Sequence, residues 1–133
     1  MANVATALSP ISMAMSSGQQ GFSQVTPVVC TFDTIDSDLT VFTPSISTNH
    51  GAIIAMFYQE ADAHTLTLKA GSTTYVSLQR NAYDGAGLPL GTGGFMIIGG
   101  KGQALAIRCG TAAVATMLVY CAEFPSLNFG GSR

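Results

Sequence analysis

The chain has 133 residues, of which 47% are hydrophobic and only 9% are charged, whereas soluble domains ordinarily carry about 25% charged residues. A net charge of −2 leaves no basic surface for neutralising phosphates, so the composition argues against nucleic acid as a partner. High hydrophobicity with little charge also excludes intrinsic disorder. Because uncharged Ser, Thr and Gly must supply most of the surface polarity, we expect the protein to associate with neighbours.

The N-terminal residues carry no basic side chain, and no apolar run approaches the ~18 residues of a membrane span. We therefore expect neither a secretory signal nor a membrane partner. The chain has three cysteines, Cys30, Cys109 and Cys121, without C-x-x-C spacing. This pattern favours buried, reduced thiols over a disulfide framework or a zinc site, and indicates synthesis in a cytoplasm.

Residues 1–27 mix small, polar and apolar side chains without a persistent helical period. The segment is predicted to be an extended N-terminal arm that gains order from a neighbouring molecule. Its apolar side chains are the candidate contacts of the arm: Leu8, Ile11, Met13 and Phe22.

Residues 28–124 consist of short β-branched and aromatic runs divided by turn residues, a pattern typical of a sandwich or barrel. Residues 65–69 alternate between leucine and polar side chains, and Gly71 and Ser72 follow as a hairpin turn. The run at 113–121 has the composition of a short helix, but its β-branched content favours a strand. The segment is predicted to be all-β, an antiparallel two-sheet jelly roll (β-sandwich) of about eight strands. Residues 125–133 are predicted to be a C-terminal tail.

Two strand-like runs, residues 52–58 and 113–121, are apolar at almost every position. Such a run suits a strand that is covered on one face by a second sheet and on the other by another subunit. The candidate oligomer or capsid contacts on these runs are Ile53, Phe57, Met117 and Val119.

Residues that carry chemistry are few. His50 and His64 share no metal-ligand spacing, and the glycine-rich segments 91–94 and 99–102 lack the phosphate-loop pattern. The acidic group Asp33, Asp36 and Asp38 offers oxygen ligands for calcium, but aspartates also start turns by bonding their own backbone, which is the commoner cause. We predict no catalytic residues, no metal and no cofactor, and therefore no enzyme.

Four motifs occur in a characteristic order: LTLKAGST at 66–73, LPLGTGGF at 88–95, GQALAI at 102–107 and ATMLVY at 115–120. In this order the sequence resembles, over residues 28–124, the small jelly-roll decoration (cement) proteins of tailed bacteriophages. The resemblance implies a structural virion protein, made in the host cytoplasm, that forms a homotrimer on the outer capsid surface. There it would bridge neighbouring major capsid proteins and stabilise the head.

A second function is compatible with the same fold, namely a jelly-roll module at a tail or fibre tip that binds host surface carbohydrate. Such a site needs exposed aromatic side chains beside polar ones, and the chain has no Trp. Its candidate residues are Tyr75, Tyr83, Asp84 and Glu60.

Overall fold

The computed structural model describes residues 3–12, 24–80, 85–89 and 97–124. These residues form strands and no helix. The strands, in chain order, are β1 (Val4–Ala7), β2 (Ile11–Ser12), β3 (Gln24–Thr31), β4 (Asp38–Phe42), β5 (His50–Gln59), β6 (His64–Ala70), β7 (Thr73–Arg80), β8 (Gly85–Pro89), β9 (Ile97–Lys101), β10 (Leu105–Gly110) and β11 (Met117–Phe124).

The strands form two antiparallel sheets. The larger, seven-stranded sheet has the order β1-β3-β11-β5-β8, with β2 also paired to β3 and β9 also paired to β5, and the four-stranded sheet has the order β4-β10-β6-β7. The prediction of an all-β, two-sheet antiparallel sandwich is confirmed. The described residues contain eleven strands rather than about eight, because β1 and β2 add to one edge and β5 pairs with two separate segments, β8 and β9.

The hydrophobic core lies between the two sheets. Strand β6 alternates between buried and half-buried positions, and its inward residues include Leu66 and Leu68, as the sequence pattern predicts. They share one cluster with Ile107 of β10 and with Met56 and Met117 of the larger sheet. Interdigitated apolar side chains of this kind supply most of the stability of a small sandwich.

The predicted hairpin turn is confirmed, since only Gly71 and Ser72 lie between β6 and β7, and Ala70 pairs with Thr73. Gly71 has a φ of 59°. A glycine with positive φ at the first loop position allows a two-residue turn to follow the twist of the strands.

The N-terminal segment differs from the expectation that it is ordered only by a neighbour. Strand β1 pairs with β3 of its own chain over four residues, from Val4 opposite Thr31 to Ala7 opposite Val28. The Asn3 side chain adds a bridge to the loop after β3: its Oδ1 accepts from the backbone N–H groups of Asp33 (2.9 Å) and Thr34 (3.0 Å). Backbone pairing and this amide therefore hold β1 as an edge strand.

The boundaries predicted for the domain differ from those of the sheets. Strand β3 begins at Gln24, so the sandwich includes residues 24–27, which the sequence pattern assigned to the arm. Residues 13–23 of the predicted arm and the whole predicted tail, 125–133, lie outside the described residues.

Candidate interaction surface

Three of the four predicted subunit contacts lie in the core instead. Ile53, Met117 and Val119 are each 0% exposed and belong to the cluster between the sheets. The prediction that they contact another subunit is therefore wrong. Phe57, the fourth, is 42% exposed and points away from the core.

A β-bulge in β5 separates Ile53 from Phe57. Tyr120 pairs with Ala55 and Cys121 with Ile53, so Ile54 has no direct partner on β11. An extra residue reverses the alternation of side chains beyond it. For this reason Ile53 and Phe57, whose spacing by an even number of residues predicts a shared face, lie on opposite faces of the sheet.

The outward side chains of the larger sheet form an apolar surface. The register places Val29, Leu118 and Phe57 side by side across β3, β11 and β5, and Pro27, Tyr120 and Ala55 in the next row. The rings of Phe57 and Tyr120 meet edge to face, with centroids 5.8 Å apart. We refer to the five of these residues that are at least partly exposed, Val29, Ala55, Phe57, Leu118 and Tyr120, as the outer apolar face; Pro27 is buried.

Strand β1 extends this surface. Thr6 pairs with Val29, and by strand alternation Val4 and Leu8 point to the same side as Thr6. Val4 is 52% exposed and Leu8 is 47% exposed. Among the described residues, Val4, Leu8 and Phe57 are three of the five exposed large hydrophobic side chains; the other two, Ile35 and Ile46, lie in loops.

The remaining predicted arm contacts are described only in part. Leu8 is exposed at the end of β1, where its N–H donates to the carbonyl of Pro27 (2.8 Å). The backbone of Ile11 pairs with Val25 in β2, and its side chain is outside the described part of the chain. Met13 and Phe22 also lie outside it.

The outer face of the smaller sheet is polar. Asp38 of β4 forms ion pairs with Lys69 Nζ (2.7 Å) and Arg108 Nε (3.0 Å). Beside them the hydroxyls of Thr67 and Ser77 are 3.3 Å apart. Exposed ion pairs contribute little to stability, but charged side chains keep a sheet face hydrated and resist association. The two outer faces of the sandwich thus have opposite character.

The histidines make ordinary hydrogen bonds. His64 is buried, with Nδ1 2.9 Å from the carbonyl of Asp62 and Nε2 2.9 Å from the Tyr58 hydroxyl. A carbonyl only accepts, so Nδ1 carries a proton and donates to it. His50 donates from Nδ1 to the carbonyl of Gly99 (2.8 Å).

The three clustered aspartates make separate contacts. Asp38 forms the ion pairs above, and Asp33 accepts from the Thr34 hydroxyl (3.0 Å). Asp36 has a left-handed backbone conformation, with a φ of 59°. Within the described ranges, no three His, Cys, Asp or Glu side chains are grouped as metal ligands.

The candidate carbohydrate residues are not brought together by the described part of the chain. Only Glu60 has a described side chain, and its carboxylate accepts from the N–H of the next residue, Ala61 (2.8 Å). The side chain of Tyr75 and all of Tyr83 and Asp84 lie outside the described residues, as does the glycine-rich segment 91–94.

The cysteines are buried and unpaired, as predicted. Burial raises the pKa of Cys30 to about 12, with a further contribution from the nearby Cys109, and burial also raises the pKa values of Cys109 and Cys121. A thiol with a raised pKa holds its proton at neutral pH and is a poor nucleophile.

We therefore expect the folded protein not to react with a thiol reagent such as DTNB at about pH 8, whereas all three thiols react once guanidinium unfolds the chain. Absorbance of the released thiolate measures both states. Fast reaction of any cysteine in the native protein, at the rate of the denatured chain, would contradict the buried placement.

One polar contact was not predicted from the sequence. The carboxylate of Glu123, near the end of β11, accepts from the N–H groups of Ser45 (2.9 Å) and Ile46 (3.2 Å) and from the Asn49 side-chain amide (2.8 Å). The Ser45 hydroxyl also donates to it. Partial burial alone would raise the pKa of Glu123, but these hydrogen bonds outweigh burial and lower it. The loop between β4 and β5 is thereby fastened to β11.

No protein-family model matches the chain, and no curated protein sequence matches it. The part of the chain that the structure describes contains no helix of the length and apolarity that a membrane span requires.

Proposed function

We propose that the chain is a structural protein of a bacteriophage virion: a capsid decoration (cement) protein that trimerises on the outer capsid surface and bridges neighbouring major capsid proteins. The observation that carries the proposal is the order of the strands in the two sheets. The ordered sequence motifs at 66–73, 88–95, 102–107 and 115–120 support it independently.

The strand order is the one expected of a jelly roll. If β8 and β9 count as one strand and the edge strands β1 and β2 are set aside, eight strands remain. The first of these then pairs with the last (β3 with β11), the second with the seventh (β4 with β10), the third with the sixth (β5 with β8 and β9), and the fourth with the fifth (β6 with β7). A long hairpin rolled into two sheets gives this pairing, which is common among virion domains.

The contrast between the outer faces supports an assembly role. One outer face is hydrated by ion pairs of Asp38, and the other exposes the apolar side chain of Phe57. A trimer that touches several capsid subunits gains affinity from many small contacts, without any strong single site. In this proposal Leu8, Ile11, Met13 and Phe22 of the N-terminal segment remain the predicted contacts to the capsid.

Cryo-electron microscopy of virions of the bacteriophage whose genome encodes the chain tests this function. We expect density for the sandwich in groups of three on the outside of the head, and we expect that density to be absent from particles of a deletion mutant. Density confined to the tail or to fibre tips would overturn the proposal, and binding of the purified protein to a glycan array would then support the carbohydrate-binding function.

A further inference from the structure

We infer that strand β1 is exchanged between copies of this chain: in the assembled protein it leaves β3 of its own chain and pairs with β3 of a neighbouring copy. The inference rests on the proposed trimer and identifies a contact that joins its subunits. Exchange requires that β1 leave its own sheet at little cost, fit the sheet of the neighbour and reach it.

Strand β1 buries little apolar surface in its own chain. Three of its four residues are exposed, and only Ala5 is half-buried against the core cluster. The largest apolar side chain of the strand, Val4, is exposed. Burial of apolar surface ordinarily dominates the free energy that fixes a strand in its sheet. Since β1 lacks that contribution, backbone pairing and Asn3 hold it, and such segments open without unfolding of the domain.

Prolines isolate β1 from the rest of the edge. The pairing of β1 with β3 ends at Ala7, and β2 resumes it at Ile11. Between these positions Pro10 lies in the N-terminal segment and Pro27 lies in β3. A proline has no N–H group to donate to a neighbouring strand. The ladder is therefore interrupted here, and β1 can leave β3 while β2 stays paired.

Strand β1 of a second copy fits the position that β1 leaves. Any extended strand could pair with the freed N–H and C=O groups of β3, but the loop after β3 adds a requirement. Asn3 Nδ2 donates to the carbonyls of Thr34 (3.2 Å) and Ser37 (3.4 Å), and Asn3 Oδ1 accepts from the N–H groups of Asp33 and Thr34. An amide side chain directly before the strand satisfies all four groups. Every copy of the chain supplies that amide, so β1 of another copy is the occupant.

The hinge of the exchange limits where the copies meet. Residues 8–10, which join β1 to β2, are exposed. The four residue steps from Ala7 to Ile11 span at most about 14 Å, and adjacent strands lie about 4.8 Å apart. Strand β1 therefore reaches a neighbouring β3 within about three strand positions of its own. The copies must meet at the β1 and β3 edges of their larger sheets. Exchange of an identical element is a low-cost route to an oligomer, because each copy regains the pairing that it gives up.

A cross-strand disulfide distinguishes pairing within a chain from pairing between copies. Ala5 lies directly opposite Cys30 and packs against the core cluster that contains it. Directly opposed residues of antiparallel strands have Cα atoms about 4.5–5.5 Å apart, which suits a disulfide. We expect Ala5→Cys, oxidised with copper phenanthroline, to give two and three covalently linked chains on a non-reducing SDS gel. A reducing agent should return them to single chains.

The double variant Ala5→Cys/Cys30→Ala is the matched control, because it keeps the new thiol and removes its partner. We expect single chains from it under the same oxidation. Linked chains in the same amount in this control would overturn the inference. A disulfide to Cys30 that mass spectrometry finds only within single chains would overturn it as well.

A second measurement uses the wild type and needs no oxidation, which the burial of Cys30 slows. Chains labelled with ¹³C and ¹⁵N are unfolded, mixed with unlabelled chains and refolded into mixed trimers. We expect isotope-filtered NOE cross-peaks between β1 of one copy and β3 of another. Cross-peaks between these strands that occur only within one chain, or a wild type that sediments as a monomer at micromolar concentration, would overturn the inference.

The outcomes separate this inference from the proposed function. Exchanged trimers that are found on the tail would overturn the capsid function and keep the exchange. Trimers on the head in which each β1 pairs within its own chain would overturn the exchange and keep the capsid function.

Discussion

Replacing Ile53 by alanine is expected to lower the free energy of unfolding by about 2–5 kcal/mol. Ile53 is 0% exposed and lies in the cluster between the sheets. Truncation removes buried methyl groups and leaves a cavity that the neighbouring strands, held by backbone pairing on both sides of β5, cannot close. Urea unfolding followed by circular dichroism measures the change.

Ile46→Ala is the matched control, because it removes the same atoms from a side chain that is 55% exposed. Substitutions at exposed positions usually change stability by no more than about 0.5 kcal/mol. If the two variants unfold at the same urea concentration, Ile53 does not lie in the core. The prediction from the sequence that Ile53 contacts another subunit would then stand again.

Much of the sandwich could be predicted from short-range sequence patterns. β-branched runs between turn residues correctly predicted two antiparallel sheets, and the alternation at 65–69 correctly predicted which side of β6 is buried. The Gly71 turn was also predictable, because a two-residue hairpin has specific backbone requirements that glycine meets. Each of these features depends on residues close together in sequence.

The face of β5 could not be predicted in the same way. Residues 52–58 are apolar throughout, so composition does not distinguish inward from outward positions, and in a regular strand the even spacing of Ile53 and Phe57 would place both on one face. The bulge at Ile54 becomes visible only when β5 is aligned with β11, more than sixty residues later. The same alignment was needed to find that Leu118 and Tyr120, rather than Met117 and Val119, point outward.

The N-terminal segment shows a related difficulty. Strand β1 has the sequence VATA, too short and too weakly apolar to predict a strand. Its place is decided by the free edge of β3 and by Asn3, whose side-chain amide bonds to a loop thirty residues away. Sequence patterns report only the conformational preference of the segment itself, and the sequence of β1 gives no strong preference for a strand.

Glu123→Gln is expected to lower the free energy of unfolding at neutral pH by about 1–2 kcal/mol. The two carboxylate oxygens accept hydrogen bonds from Ser45, Ile46 and Asn49, all of which are donors. A glutamine replaces one acceptor oxygen with an NH₂ group that faces those donors. Glu60→Gln is the control, because the described hydrogen bonds of the Glu60 carboxylate come from its near neighbours in sequence, Ala61 and Asp62, and it should change stability little.

The pH dependence distinguishes a hydrogen-bonded carboxylate from a merely bulky side chain. The folded protein lowers the pKa of Glu123 below its ordinary value of 4.5, so the stability that the carboxylate contributes is fully present above that value. It is lost as the pH falls through the lowered pKa, where the protonated side chain can no longer accept from every donor. The difference in unfolding free energy between the wild type and Glu123→Gln should therefore shrink in acid.

Other acidic groups titrate in both proteins and cancel from that difference. A difference that stays constant from neutral pH into acid would show that the carboxylate charge does not fasten the loop between β4 and β5 to β11.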